Sequence, residues 1–248
     1  MTVNYVANRP RQLKEWLHSI KRDPGQIFRR KGRSSCTCCG YKGPFVSLRR
    51  SERDDDREKR CPNCASRPRD RLLARLFAQR KIRLEGRYIL HFSPEPNLFR
   101  RLKNEPHYIS GDIKKNKYAA YEVDVTRIPY PDNTFDVIIC NHVMEHVQDH
   151  MTGFSECLRV LKPDGAAFFS VPYYPEREET WYPPEDMPEA EVDRICGLGH
   201  RRLYGRDFAD IVASAGFEVE TYLLSAAETA IYRTDMNDPI FIARKSPG

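Results

Sequence analysis

The chain has 248 residues, 40% of them hydrophobic and 31% charged, with a formal net charge of +6. This length suits one large domain, or an ordinary domain with a small one beside it. No apolar run reaches the roughly 18 residues of a membrane span, and the basic stretch 1–33 lacks a signal peptide's apolar centre, so a cytoplasmic chain with no membrane partner is expected. Glu15 and Asp23 interrupt what would otherwise read as a mitochondrial-type leader. The charge is uneven: residues 1–80 hold 21 Lys and Arg against 8 Asp and Glu, and the remainder holds 20 against 27. A basic front of this kind suits an anionic partner such as RNA, a phosphorylated sugar or a nucleotide, or equally a surface docked on an acidic neighbouring domain.

In chain order, residues 9–21 read as an amphipathic helix, with Leu13, Trp16, Leu17 and Ile20 on one face. Residues 34–66 hold five of the eight cysteines. Cys36 and Cys39 form one Cys-x2-Cys knuckle and Cys61 and Cys64 a second, with the mixed-charge run 49–60 as an exposed loop or hairpin tip between them. Two such knuckles can surround Zn²⁺ with four thiolates, a closed shell that reads as structural rather than catalytic. Cys38 is a spare that can stand in for Cys36 or Cys39. A helix over about 68–80, with Leu72, Leu73, Leu76 and Phe77 on one face, is expected to connect two modules.

From Gly86 the pattern alternates. Strands are expected at 88–92, 108–111, 121–125, 135–140, 166–171, 217–224 and 240–244, and helices at 98–103, 153–161 and 206–215, the last stopped by Gly216. This alternation predicts an α/β fold, a mostly parallel sheet with helices on both faces, whose ligand site lies beyond the strand C-termini at the switch in strand order. Residues 172–200, rich in Pro, Glu and Tyr, read as a lid-like insertion. The segments are therefore 1–33, a basic helical segment; 34–66, the zinc-binding module; 67–85, the connecting helix; and 86–248, the main domain.

The run from Asp124 through Ile128-Pro-Tyr-Pro-Asp-Asn-Thr-Phe-Asp136 to Met144-Glu-His-Val147 resembles class I S-adenosylmethionine-dependent methyltransferases of the type-11 group. Arg159-Val-Leu-Lys-Pro-Asp-Gly165 is similar to that group's turn before the fifth strand. Cys61-Pro-Asn-Cys-Ala-Ser-Arg-Pro-Arg-Asp-Arg71, His91-Phe-Ser-Pro-Glu-Pro96 and His200-Arg-Arg-Leu-Tyr-Gly205 resemble a subset that carries an N-terminal four-cysteine, zinc-ribbon-like module. The resemblance implies a Rossmann-like seven-stranded sheet. It also implies a methyl transfer from S-adenosylmethionine to an N or O atom of a small-molecule or glycan acceptor. Asp112 would take the ribose hydroxyls and Ile113 the adenine ring. Asp124, with Val125 and Thr126, would take the adenine edge, while Asn141 and His142 would border the methionine end. The glycines usual after the first strand are replaced by Ser93, Glu95 and Asn97. Ser93 is small enough for close approach, Glu95 suits the cofactor's ammonium, and His91 and Pro94 frame the turn. A base for an amine or hydroxyl acceptor is sought among His142, Glu145, His146, His200 and Tyr204. Arg201 and Arg202 suit an anionic substrate, and Tyr173, Tyr174, Trp181 and Tyr182 a stacked sugar or base. Two other readings stand beside this one: an RNA methyltransferase using the basic front, and a non-catalytic domain that binds a partner protein.

Overall fold

The computed structural model describes residues 34–43, 45–47 and 59–245. The expected helix over 9–21 and most of the charged run 49–60 lie outside the described residues. The described chain forms two compact units, one running up to Ile82 and including Leu223–Met236, the other comprising Arg83–Tyr222 and the chain from Asn237.

The first unit is built on two matching turns. The Gly40 amide donates to the Cys36 carbonyl and the Ala65 amide to the Cys61 carbonyl, each at 2.8 Å. Both residues have left-handed backbones, at φ +72 and +58. Strands β1 (Val46–Ser47) and β2 (Lys59–Arg60) pair antiparallel, and helix α1 (Pro68–Gln79) follows the second turn. Its first turn carries Asp70, whose carboxylate accepts the Arg67 amide at 3.0 Å. Arg71 is fully buried. Its guanidinium donates to the Ser66 carbonyl at 2.6 Å, the Tyr232 carbonyl at 2.7 Å and the Arg233 carbonyl, and lies 4.6 Å from the Phe45 ring centroid. A short helix, Ala226–Tyr232, completes this unit and buries none of its side chains.

The second unit is a seven-stranded sheet. Its strands are β3 (Ile89–Phe92), β4 (Tyr108–Asp112), β5 (Tyr121–Glu122), β6 (Phe135–Asn141), β7 (Leu161–Ser170), β8 (Phe217–Tyr222) and β9 (Ile240–Lys245). They lie in the order β5-β4-β3-β6-β7-β9-β8. Five neighbouring strands, β5 through β7, run parallel, and β9 is antiparallel to both β7 and β8. Between them come helices α2 (Pro96–Leu102), α3 (His150–Val160), α4 (Glu189–Cys196) and α5 (Phe208–Ser214). Strand β6 buries every residue but Asp136, as a central strand covered on both faces must. Phe154, Phe169, Phe208 and Phe217 join the core around it. Gly216 follows α5 at φ +102, the left-handed position expected of a helix-stopping glycine.

Several bounds differ from the expected ones, and Glu189–Cys196 and Ala226–Tyr232 are helices that were not expected. The third strand ends at Glu122 rather than Val125, because the Asp124 carboxylate accepts both the amide and the hydroxyl of Thr126 at 2.8 Å and curls the chain out of the sheet. The strand expected at 166–171 starts earlier, at Leu161. No described helix is long and apolar enough to cross a membrane.

Candidate functional site

From β3 the chain proceeds to β4 and β5 on one side and then returns to β6 on the other. The strand ends diverge there and leave a crevice. A cavity of about 700 Å³ fills it, lined by Phe92 and Ser93 after β3, Asp112 and Ile113 after β4, Val123 to Thr126 after β5, and His142 with Val143 and His146 after β6. Seven residues expected around a cofactor therefore converge on one space: Ser93, Asp112, Ile113, Asp124, Val125, Thr126 and His142. Asp112 accepts its neighbour's amide, that of Ile113, at 2.8 Å and the Asn116 side chain at 3.0 Å. Ile113 beside it is 64% exposed, an apolar surface left open to the cavity.

Ser93 has φ +43 and is exposed, and its amide donates to the Gly111 carbonyl at 2.8 Å. The turn thus keeps the left-handed backbone that glycine favours without a glycine. His142 is similarly left-handed at φ +53. Left-handed non-glycine residues cost energy and cluster where a ligand is gripped.

Four residues expected at the cofactor, His91, Pro94, Glu95 and Asn141, are not among those lining the cavity. His91 is fully buried, bonded to the Tyr108 hydroxyl at 2.9 Å and to Glu95 at 2.8 Å. The second oxygen of Glu95 accepts the Asn141 amide group at 3.0 Å, and the Asn141 oxygen accepts the Ser170 hydroxyl at 3.0 Å. This chain of buried polar groups ties the ends of β3, β4, β6 and β7 together beneath the cavity. Glu95 is engaged on both oxygens and braces the turn. Pro94 is likewise buried. Burial raises the Tyr108 phenol above its ordinary range, so it stays a neutral partner to His91.

The candidate bases separate in the same way. Tyr204 is fully buried, its hydroxyl donating to the Met144 carbonyl at 3.2 Å and meeting His150 at 2.8 Å. Burial pushes its phenol upward. It lies in the core and lines neither cavity. His142 Nδ1 lies 3.2 Å from Glu145, which is buried. Ligand atoms of Glu145, His146 and His200 all lie within 4.8 Å of one another. Burial holds the His200 imidazole below its usual value.

A second cavity of about 540 Å³ shares Gln148 and Asp149 with the first and is also lined by His150, Tyr182, Pro183, Pro184 and Arg201. Of the four aromatics expected to stack on a substrate, Tyr182 lines it. Tyr174 and Trp181 pack around Val192, Cys196 and Leu203, and Tyr173 packs on Phe241. Arg202 also lines this cavity, is 4% exposed and donates to the carbonyls of Met144 and Gln148. Gln148, Asp149, His150 and Val147 were not singled out in sequence. The signal was there in part, since Asp149 caps α3 by accepting the Thr152 amide at 3.0 Å.

In the first unit the sulfurs of Cys36, Cys39, Cys61 and Cys64 cluster within 4.8 Å. Cys36 and Cys64 are 3.6 Å apart, and Cys39 and Cys61 3.7 Å. Tetrahedral thiolates at ~2.3 Å from zinc stand about 3.8 Å from each other, so the donor set fits that ion. The Ser66 hydroxyl lies 3.2 Å from the Cys36 sulfur. Cys38 turns away and its thiol donates to the Asp70 carbonyl at 3.3 Å.

Residues 92–169 match the model of a methyltransferase domain family. A probable S-adenosylmethionine-dependent methyltransferase of Mycolicibacterium smegmatis is 32% identical over 100 residues, 40% of this chain and 35% of that protein. An uncharacterised methyltransferase of Schizosaccharomyces pombe is 36% identical over 109 residues, 42% of this chain and 37% of that protein. The matched stretch thus spans about a third of these relatives' own length. Among solved structures, the [4+2]-cyclase SpnF superposes with a TM-score of 0.52 at 16% identity, covering 95% of this chain and 96% of its own. The fold is therefore Rossmann-like, and it is shared by a [4+2]-cyclase.

Proposed function

We propose that the chain transfers a methyl group from S-adenosylmethionine to an oxygen or nitrogen of a small-molecule or glycan acceptor. The observation that carries this reading is the convergence of Asp112, Asp124 and the left-handed Ser93 turn on one cavity at the switch point of the sheet. The family match over 92–169 supports it. The cavity lies in the volume range of small-molecule sites, about 300–1,000 Å³. Asp112 accepts from the ribose hydroxyls and Ile113 covers one face of the adenine. Asp124, Val125 and Thr126 border its edge. Ser93 brings the backbone close, and His142 borders the methionine end. When bound, the cofactor supplies a methyl group on a positively charged sulfur, which is already electrophilic. The chain's own task is then to orient the acceptor, exclude water and receive a proton. Of the candidate bases, His142 lines the cavity, backed by Glu145 at 3.2 Å, and takes that last task.

Acceptor binding falls to the adjoining cavity, where the half-exposed Tyr182 and neighbouring prolines offer an apolar face to a sugar or other ring. Cys36, Cys39, Cys61 and Cys64 hold a structural zinc in this reading, since four thiolates leave no open position. The basic composition of residues 1–80 favours RNA as a second acceptor reading. Incubation with methyl-labelled cofactor separates the two. Label entering hydroxyl- or amine-bearing small molecules or glycans supports the proposal. Label entering RNA instead, with binding that falls steeply as salt rises, contradicts it.

A further inference from the structure

We infer that Glu145, His146 and His200 form a divalent-cation site at the mouth of the main cavity, separate from the cysteine cluster. Their ligand atoms lie within 4.8 Å of one another. The Glu145 carboxylate is 1% exposed, one of its oxygens faces His142 Nδ1 at 3.2 Å, and the other has no hydrogen-bond partner among the described residues. A buried carboxylate oxygen with nothing to accept is costly unless a cation meets it. His200 Nδ1 is likewise buried without a partner.

The supporting structure orients these groups. His146 Nδ1 donates to the Gly199 carbonyl at 2.9 Å, which leaves the Nε2 lone pair for a metal, the arrangement usual for metal-bound imidazoles. The two imidazoles meet edge to face with ring centroids 4.7 Å apart. The loop that carries His200 is held by the Gly199 amide donating to Asp193 at 2.8 Å. Gly197 has φ +109, and a side chain there would stand 3.1 Å from His200 Nδ1, so the tight approach needs glycine.

Two imidazoles and one carboxylate favour a borderline transition ion such as Zn²⁺, Co²⁺, Fe²⁺ or Mn²⁺ over Mg²⁺, which prefers oxygen donors and water. Three protein ligands leave positions open, unlike the closed cysteine shell. His146 is exposed and lines the main cavity, so the site adjoins it. Resting on the methyl-transfer reading, the site would take the oxygen donors of an acceptor with a hydroxyl beside a second oxygen.

Cobalt titrated into zinc-loaded protein, with no cofactor present, tests the site. The expected result is one further Co²⁺ per chain, giving visible bands without the near-ultraviolet charge transfer of thiolates. His146→Ala and His200→Ala should each weaken it by about 30-fold or more, the usual scale of losing a ligand. His146 is exposed, so its variant keeps the fold. Folded, zinc-loaded protein that takes up no second ion, or histidine variants that bind like the parent, would overturn the proposal. Calorimetry with S-adenosylhomocysteine on the same zinc-loaded sample, before cobalt is added, reads the methyl-transfer proposal independently.

Discussion

Ser93 shows how a departure from a motif can preserve its geometry. Its left-handed backbone costs about 1 kcal/mol more than a glycine would, while glycine loses about 0.5–1 kcal/mol in chain entropy. The two nearly cancel, so Ser93→Gly should change the melting temperature by no more than about 2 °C and leave cofactor binding intact. Ser93→Val cannot adopt this backbone without strain and should lower stability by about 1–3 kcal/mol and weaken binding. Thermal melts with calorimetry on both variants check this. His150 makes a second prediction. Its imidazole is held down to about 4 by burial and by the Arg202 charge, from an ordinary 6.5. Between those values the unfolded chain binds a proton that the folded chain refuses. Stability should therefore be complete above pH 6.5 and fall as the pH drops toward 4. Melting temperatures across that range should fall less steeply in His150→Gln than in the parent. At this scale the acidic residues were legible because their place after strands is set by local pattern. The inward turn of His91, Glu95 and Tyr204 was not, because burial depends on distant strands and helices.

Among the elements, the paired cysteine turns were legible from spacing alone, and the left-handed residue that follows each of them, Gly40 and Ala65, aligns Cys39 with Cys64 and leaves Cys38 outside the cluster. The meaning of the run that follows them emerges from packing. Ser66 reaches the Cys36 sulfur, and Arg71 closes over three backbone carbonyls and the Phe45 ring. Burial pulls the Arg71 guanidinium down from its ordinary value, yet it stays a cation paired with carbonyl oxygens. Arg71→Ala leaves those carbonyls unmet and should cost the first unit about 3–5 kcal/mol. The readout is zinc release to a competing chelator, faster in the variant and slower in the parent. Arg71→Lys should rescue little, since an ammonium cannot reproduce the planar fork. The helix Ala226–Tyr232 escaped sequence reading for a plain reason: it buries no side chain and so shows no apolar stripe.

For the whole molecule, the strand–helix alternation was enough to specify a mostly parallel sheet, and the order β5-β4-β3-β6-β7-β9-β8 puts the switch point beside β3, where the cavity lies. The inclusion of Leu223–Met236 in the first unit was not legible, because periodicity reports local burial and carries no record of which unit a segment joins. The account rests on the cavity being a cofactor site. Calorimetric titration of the purified, zinc-loaded protein with S-adenosylmethionine and S-adenosylhomocysteine tests that most directly, with Asp112→Ala as the partner measurement. Asp112 is at the edge of the cavity and its two recorded bonds are local, so the variant should fold. The account predicts micromolar binding to the parent and a loss of about 30-fold or more in the variant, the scale of losing a charged acceptor's hydrogen bonds. A folded parent that binds neither molecule would contradict it.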